Sequence, residues 1–269
     1  MKKVLFDYGH GGSDSGALGY GIYEKNVVFE LGRMTKEEIE KRYEVKVYES
    51  RSSDKTVSLK ERTDIANRLD VDYLVSFHNN AFNKAAHGFE SFVYIKLSDA
   101  SETNKMRNII HDEIMKVLKK YGILDRGKKK ANFHMLRESN MPAILIEYLF
   151  IDNAKENALL KNKSFLHEVA VATAVGIAKA MNLKAKAQPK PAQPASSGTI
   201  YRVQVGAFKS KANAEALEKQ VKAKGFDAFV KLVDGLYKVQ VGAYSVKANA
   251  EAQEAKLKKA GFNAFITTK

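Results

Sequence analysis

The 269-residue sequence contains no cysteine and no tryptophan, and only four prolines. Without cysteine there is no disulfide, no thiolate-bound zinc, no iron–sulfur cluster and no thiol nucleophile. Any metal must be held by His, Asp and Glu. No apolar run approaches the roughly 18 residues that a membrane-spanning helix needs, so no membrane span is expected. The opening MKKVLFDYGHGG has two lysines but only Val4, Leu5 and Phe6 before Asp7. That is too short for a secretory apolar region, so the segment reads as a first strand. The expectation is a chain made in the cytoplasm without a signal peptide. With 45 Lys and Arg against 31 Asp and Glu, the formal charge is +14. The excess is uneven: residues 1–183 hold 29 basic and 25 acidic side chains, residues 184–269 hold 16 and 6. A basic module of this kind seeks a polyanion such as nucleic acid, an anionic membrane or a bacterial wall.

Three of the four prolines fall in KAKAQPKPAQPASSG, Lys184–Gly198, which has no large apolar residue. This composition predicts an extended linker. Behind it lies an internal repeat. YRVQVGAFKSKANAEALEKQVKAKGFDAFV (Tyr201–Val230) aligns with YKVQVGAYSVKANAEAQEAKLKKAGFNAFI (Tyr237–Ile266), with 18 of 30 positions identical. Each copy opens with strand-like alternation and continues into an Ala/Glu/Lys-rich helix, which Gly225 closes in the first copy. A short strand over Phe226–Leu232 and a hairpin turn at Val233–Leu236 follow. Together the copies predict one small βαββαβ domain over 199–269, a four-stranded sheet with two helices behind it.

Residues 1–183 alternate strand and helix patterns. Strands are expected at 4–8, 45–49, 73–77, 89–95 and 143–151, and helices near 26–42, 58–70, 101–120 and 164–181. This order predicts an α/β domain: a mixed, mostly parallel sheet with helices on both faces. Ligands bind beyond the carboxyl ends of such strands. His10 and His78 each follow a strand, Glu24 opens the helix after GHGGSDSGALGYG, and Glu147 interrupts AILI-E-YLFI. Two histidines and a carboxylate form a usual catalytic zinc set, and a second carboxylate can serve as general base. Each residue also has an ordinary reading. The histidines could sit in polar loops, Glu24 could be a first-turn acid, and Glu147 could be half of a buried ion pair.

The segment resembles the zinc-dependent N-acetylmuramoyl-L-alanine amidases of the amidase-3 type, which include Bacillus sporulation and phage lytic enzymes. DYGHGGSDSGA (Asp7–Ala17), YEKN (Tyr23–Asn26), SFHNNA (Ser76–Ala81) and EYLFIDN (Glu147–Asn153) carry the likeness in order, and SRSSD (Ser50–Asp54) and LKERTDIAN (Leu59–Asn67) extend it. The resemblance implies that His10, Glu24 and His78 bind Zn2+, and that Glu147 activates water for attack on the amide between N-acetylmuramic acid and L-alanine. It also implies that Asn79, His134 and Arg137 touch the substrate. The sequence departs from the pattern at Tyr8, Asn80 and Leu149. Leu149 stands where glycine is usual and is expected to narrow the groove.

The repeat resembles a SPOR domain, a module that binds peptidoglycan glycan strands. Its VQVGAF and VQVGAY strands (Val203–Phe208, Val239–Tyr244) carry the likeness, which implies glycan contacts at Tyr201, Phe208, Tyr237 and Tyr244. The same topology and charge suit an RNA-binding module, but the basic-Gly-aromatic-Gly signature is absent, so no nucleic-acid partner is expected. The resemblance thus implies a monomeric peptidoglycan hydrolase that acts on the wall after release, as a phage endolysin or a sporulation mother-cell lysin. The competing readings are another zinc-dependent wall peptidase and a non-catalytic wall-binding protein. HExxH fails at Val171, and no phosphate-cradling glycine motif is present.

Overall fold

The computed structural model describes residues 1–186 and 200–268, which form two compact units separated after Lys186. Most of the segment from 184 to 198, the expected linker, lies outside the described residues. Its first residues do not leave the domain: the Glu44 N–H donates to the Lys184 carbonyl and the Lys186 N–H to the Arg42 carbonyl, each at 2.8 Å.

In the first unit the strands are β1 (Lys2–Tyr8), β2 (Leu18–Gly19), β3 (Ile22–Tyr23), β4 (Val45–Glu49), β5 (Tyr73–Asn80), β6 (Phe89–Tyr94), β7 (Asp125–Ala131) and β8 (Ala143–Phe150). The helices are α1 (Glu24–Arg42), α2 (Leu59–Leu69), α3 (Glu102–Leu118), α4 (His134–Arg137), α5 (Ala154–Leu160) and α6 (Lys163–Ala180). The main sheet has the order β4-β1-β5-β8-β6-β7. Every pairing in it is parallel except that of β6 with β8. The α/β expectation therefore holds. Alternation along the central strands sends Val4, Phe6, Tyr8, Val75, Phe77, Ile144 and Ile146 to one face, where α1, α3 and α6 cover them. Leu5, Leu74, Ala143 and Leu145 go to the other face, under α2 and α4. Strands buried on both faces lose the simple polar alternation of an exposed sheet, which is why they read as apolar runs.

The helices start where side chains accept orphan N–H groups. Ser58 caps α2, Ser101 caps α3, Asn153 caps α5 and Asn162 caps α6. β7 has no sequence signal, because DRGKKKA is polar on both sides; it is an edge strand, where lysines are tolerated. Leu149 departs from expectation. It has φ 76° and is buried in the core under α1, α3 and α6, so it does not line a groove. The left-handed turn accompanies a register shift between β5 and β8, and glycine would suit that turn without Cβ strain. Tyr8 fits through its neighbours: its N–H donates to Ser50 Oγ at 3.2 Å, and Gly32 leaves room for its ring.

The second unit contains β9 (Tyr201–Phe208), α7 (Lys211–Ala223), β10 (Phe229–Val233), β11 (Leu236–Tyr244), α8 (Lys247–Lys259) and β12 (Phe265–Thr267). Its antiparallel sheet has the order β10-β11-β9-β12. Val203, Val205, Val239 and Val241 pack with Ala214, Val221, Ala250 and Leu257 of the two helices, as the repeat implied.

Candidate active site

The site begins where β1 leaves the sheet. His10 has φ 61°, a conformation few non-glycine residues adopt, and two buried arginines hold the backbone there. Arg51 Nε donates to the Tyr8 carbonyl at 3.0 Å, and its Nη2 to the Gly9 carbonyl at 3.2 Å and the Lys25 carbonyl at 2.7 Å. Arg62 donates to the carbonyls of Tyr8 and His10 at 2.5 and 2.6 Å and to Asp7 at 2.8 Å. The SRSSD and LKERTDIAN segments thus earn their place through these two side chains.

Glu24 is fixed at the first turn of α1. Its Oε2 accepts the Ala17 N–H at 3.0 Å and its Oε1 the Asn79 N–H at 2.9 Å. Oε2 also lies 3.1 Å from His10 Nε2, and Oε1 lies 3.0 Å from His78 Nδ1. The three side chains, from the turn after β1, from α1 and from β5, each offer one ligand atom within 4.8 Å of the others. Ligands at about 2.0–2.2 Å from a tetrahedral zinc sit roughly 3.3 Å apart, so these separations and this N2O donor set fit the ion. On the far side of the His10 ring, Nδ1 meets Asp14 Oδ2 at 2.8 Å. That contact makes Nδ1 the donor and leaves the Nε2 lone pair facing the site, a tautomer assigned from the hydrogen bonding. Asp14 was not singled out from sequence; its only signal there is the i,i+4 spacing from His10.

The electrostatics are those of a tight acid–imidazole cluster. Burial alone would raise the Glu24 carboxyl, but the two histidines hold it well below the usual carboxylate range. Burial would lower His78, and the Glu24 hydrogen bond with the charges of Glu147 and Glu24 pushes it up to about 9 instead. Glu147 stands beside His78 in the β5–β8 register. Burial pushes its carboxyl up to about 7, with Glu24 and Glu90 adding to the rise and the imidazoles opposing it. Its Oε2 is buried with no hydrogen-bond partner among the described residues. A buried carboxylate oxygen left open is costly unless something else meets it.

A cavity of about 310 Å3 opens over these groups, lined by His10, Glu24, His78, Glu147, Phe133 and His134, among others. A second cleft of about 390 Å3 adjoins it, sharing His10, Leu59 and His78. The structure thus brings His10, Glu24, His78 and Glu147 into one place. His134 lines the cavity and meets Thr63 Oγ1 at 3.3 Å. Arg137 is turned to Glu138 and Asn132 and lines neither cleft. Asn79 also lines the cavity; its N–H holds Glu24 and its Nδ2 donates to the Tyr148 carbonyl at 2.5 Å, while its buried Oδ1 has no partner among the described residues. A larger cavity near Lys84, His87 and Lys155 has one acid, Glu156, and that acid is already bound to the Gly88 and Phe150 N–H groups. Ser91, His111 and Asp125 form a Ser–His–Asp chain at 2.8 and 3.0 Å, but Ser91 and His111 are wholly buried, so no substrate reaches them.

In the second unit, Tyr201, Phe208, Tyr237 and Tyr244 are partly buried and pack against the helix-side core. The opposite sheet face carries another set. Phe229, Gln240, Gln204 and Phe265 lie in register as one row across all four strands, with both phenylalanines exposed. The offset of 36 residues relates Phe229 to Phe265 and Gln204 to Gln240.

Comparison with known proteins agrees with this geometry. Residues 4–179 match the N-acetylmuramoyl-L-alanine amidase family. Residues 197–268 match the SPOR domain, as do residues 171–232, where the match is slid back by the 36-residue repeat. The sporulation-specific N-acetylmuramoyl-L-alanine amidase of Bacillus subtilis is 43% identical, covering 87% of this chain and 86% of that protein. The endolysin of Bacillus phage SPP1 is 45% identical, covering 75% of each. The solved catalytic domain of CwlV, an amidase from Bacillus (Paenibacillus) polymyxa var. colistinus, is 33% identical with a TM-score of 0.63, covering 68% of this chain and 100% of that one. The chain therefore belongs to the amidase-3 family of N-acetylmuramoyl-L-alanine amidases and carries a SPOR domain at its C-terminal end.

Proposed function

We propose that this peptidoglycan amidase works through a zinc site made by His10, Glu24 and His78, with Glu147 as the general base. The observation that carries the reading is the convergence of these three ligand atoms beside a buried, unpartnered carboxylate oxygen. A zinc ion bound there would polarise the scissile carbonyl and lower the pKa of a coordinated water. The chain's own residues do the rest. Glu147, with a carboxyl near neutrality, takes the proton from the attacking water and can return it to the leaving amine of L-alanine. Asp14 keeps the His10 tautomer, and the Arg51–Arg62 clamp keeps its position. His134 and Phe133 border the cavity where the muramoyl and peptide parts meet.

The SPOR domain is assigned to glycan strands of the wall. Aromatic rings offer flat area to sugar faces, and amides offer hydrogen bonds. The exposed rings of Phe229 and Phe265, at the two ends of a row completed by the largely buried Gln240 and Gln204, suit that task, with Tyr201, Phe208, Tyr237 and Tyr244 behind them as support. Tethering raises local substrate concentration without new contacts at the reacting bond. Similarity to a sporulation amidase and a phage endolysin supports a lytic role on the wall. No helix among the described residues is long and apolar enough to cross a membrane. Mass spectrometry of digested purified wall tests the reaction. New L-alanine amino termini and free lactyl carboxylates on intact glycan are expected; cleavage within the stem peptide instead would assign the site to another bond.

A further inference from the structure

The row of residues that begins at the metal site does not stop at the base. His78 on β5 pairs with Glu147 on β8, Glu147 with Glu90 on β6, and Glu90 with Gly127 on β7. Side chains paired this way point to one face of a sheet, here the face that α2 and α4 cover only in part. Glu90 is 5% exposed and is met by three groups. Asn80 Nδ2 donates to it at 2.8 Å, Arg126 Nε at 2.9 Å, and the Lys129 ammonium also lies against it.

Arg126 and Lys129 are three residues apart, so a regular strand would send them to opposite faces. They converge because β7 is bulged. Phe89 pairs with Asp125 and Glu90 with Gly127, so Arg126 is skipped, and Gly127 takes φ 95° to allow it. The bulge is a device that re-aims one side chain. It leaves two cations on a single carboxylate, one positive charge in excess, with side chains 31% and 39% exposed. Neither cation pairs with another acid among the described residues. The lysine sits by Phe92, whose ring packs edge-on against Phe133 of the catalytic cavity. Phe133 and Phe92 thus lie between the Glu147 cavity and two cations that share one acid.

We propose that Arg126 and Lys129 form a carboxylate-binding subsite for the stem peptide of the substrate. The inference rests on the amidase reading of the Glu147 cavity and adds which part of the substrate is recognised. The distance sets which carboxylate. Two strand spacings separate β8 from β7, about 10 Å in all, and an extended peptide advances about 3.3 Å per residue. The acid held is therefore that of the second or third residue beyond the scissile amide. Glu90 orients the two cations and, by taking up one charge, keeps the pair from repelling.

Soluble muramoyl peptides test this with the full-length, zinc-loaded chain. Two matched pairs are used, one with a carboxylate or carboxamide on the second residue and one with the same change on the third. The wild-type enzyme is expected to prefer the carboxylate by about tenfold in kcat/KM in one pair, mostly through KM, since a charge-assisted contact at a part-exposed site is of that size. Lys129→Gln and Arg126→Gln together should erase the preference, read as the ratio of the carboxylate rate to the carboxamide rate, whereas Lys129→Arg should retain it. Equal use of carboxylate and carboxamide in both pairs by the wild type overturns the subsite. So does a double variant that matches the wild-type urea midpoint and yet loses both substrates equally. No cleavage of any substrate by the wild-type enzyme would be a failure of the hydrolytic reading itself, and the subsite would fall with it.

Discussion

Arg62 Nη1 lies 2.8 Å from the Asp7 carboxylate, both side chains are buried, and the same guanidinium holds the carbonyls of Tyr8 and His10. One ion pair thus couples the stability of the domain to the position of a proposed zinc ligand. Removing one partner of a buried pair leaves an uncompensated charge and costs about 3–5 kcal/mol. Arg62→Ala should therefore lower the urea midpoint sharply. Arg62→Lys should recover little, because an ammonium cannot reach three acceptors in a planar fork.

The same pair fixes the acid limb of stability. Burial opposes the charged Asp7, but the Arg62 charge and the hydrogen bonds from Arg62 and Ser76 outweigh it, so the folded carboxyl lies below the usual range. Its contribution is present above the unfolded value near 4 and is lost as pH falls through the folded value. Urea midpoints of the metal-free chain measured downward from pH 6 should show this loss. Asp7→Asn should be less stable at pH 6 and flatter below pH 4; an unchanged acid limb would contradict the assignment.

Glu147→Gln removes the base and leaves the three proposed ligands in place. General-base catalysis contributes roughly 10^2–10^4-fold, so kcat should fall by that order while zinc affinity stays close to wild type. Asp14→Asn should do the reverse. Loss of an outer partner of a ligating histidine typically weakens metal binding by about 10–100-fold, so activity should return at higher free zinc. A chelator competition assay separates the two outcomes.

Gly9 tests the packing beneath the site. A Cβ there would lie 2.4 Å from His78 Cε1, without any demand for a left-handed backbone. Gly9→Ala should displace His78, and the variant should lose zinc affinity by more than it loses fold stability. Metal content and urea midpoint, read together, check this.

In the second unit, Phe229→Ala with Phe265→Ala removes two exposed rings and little core. Pelleting with purified wall should weaken severalfold, while cleavage of small soluble fragments stays unchanged. Equal pelleting would move glycan binding back to the Tyr201, Phe208, Tyr237 and Tyr244 side.

Much of this was legible in the sequence where one residue type meets one period. The apolar runs mark five of the six strands of the main sheet, and His10, Glu24, His78 and Glu147 stand out as polar groups that follow or interrupt strands or open a helix. β7 was not legible, because its lysines are compatible with an edge strand only when Asp112, Glu90 and Asp99 are known to lie opposite. The buried roles of Arg51 and Arg62 were hidden for a similar reason: a charged residue in a helix such as α2 reads as solvated until its acceptors are seen. In the repeat, Tyr201 alternates with Val203 and Val205, and that parity already places it on the core side. Register across strands was needed to bring Phe229 and Phe265 into one row.

The most direct test of the central claim is a zinc titration of the metal-free, full-length chain, with bound zinc and cleavage of a soluble muramoyl peptide followed together. Activity should rise in proportion to bound zinc, reach its plateau at one ion per chain, and be lost along with that binding in Glu24→Gln. Full cleavage by the metal-free chain, or unchanged zinc binding after His10, Glu24 and His78 are each replaced, would contradict it.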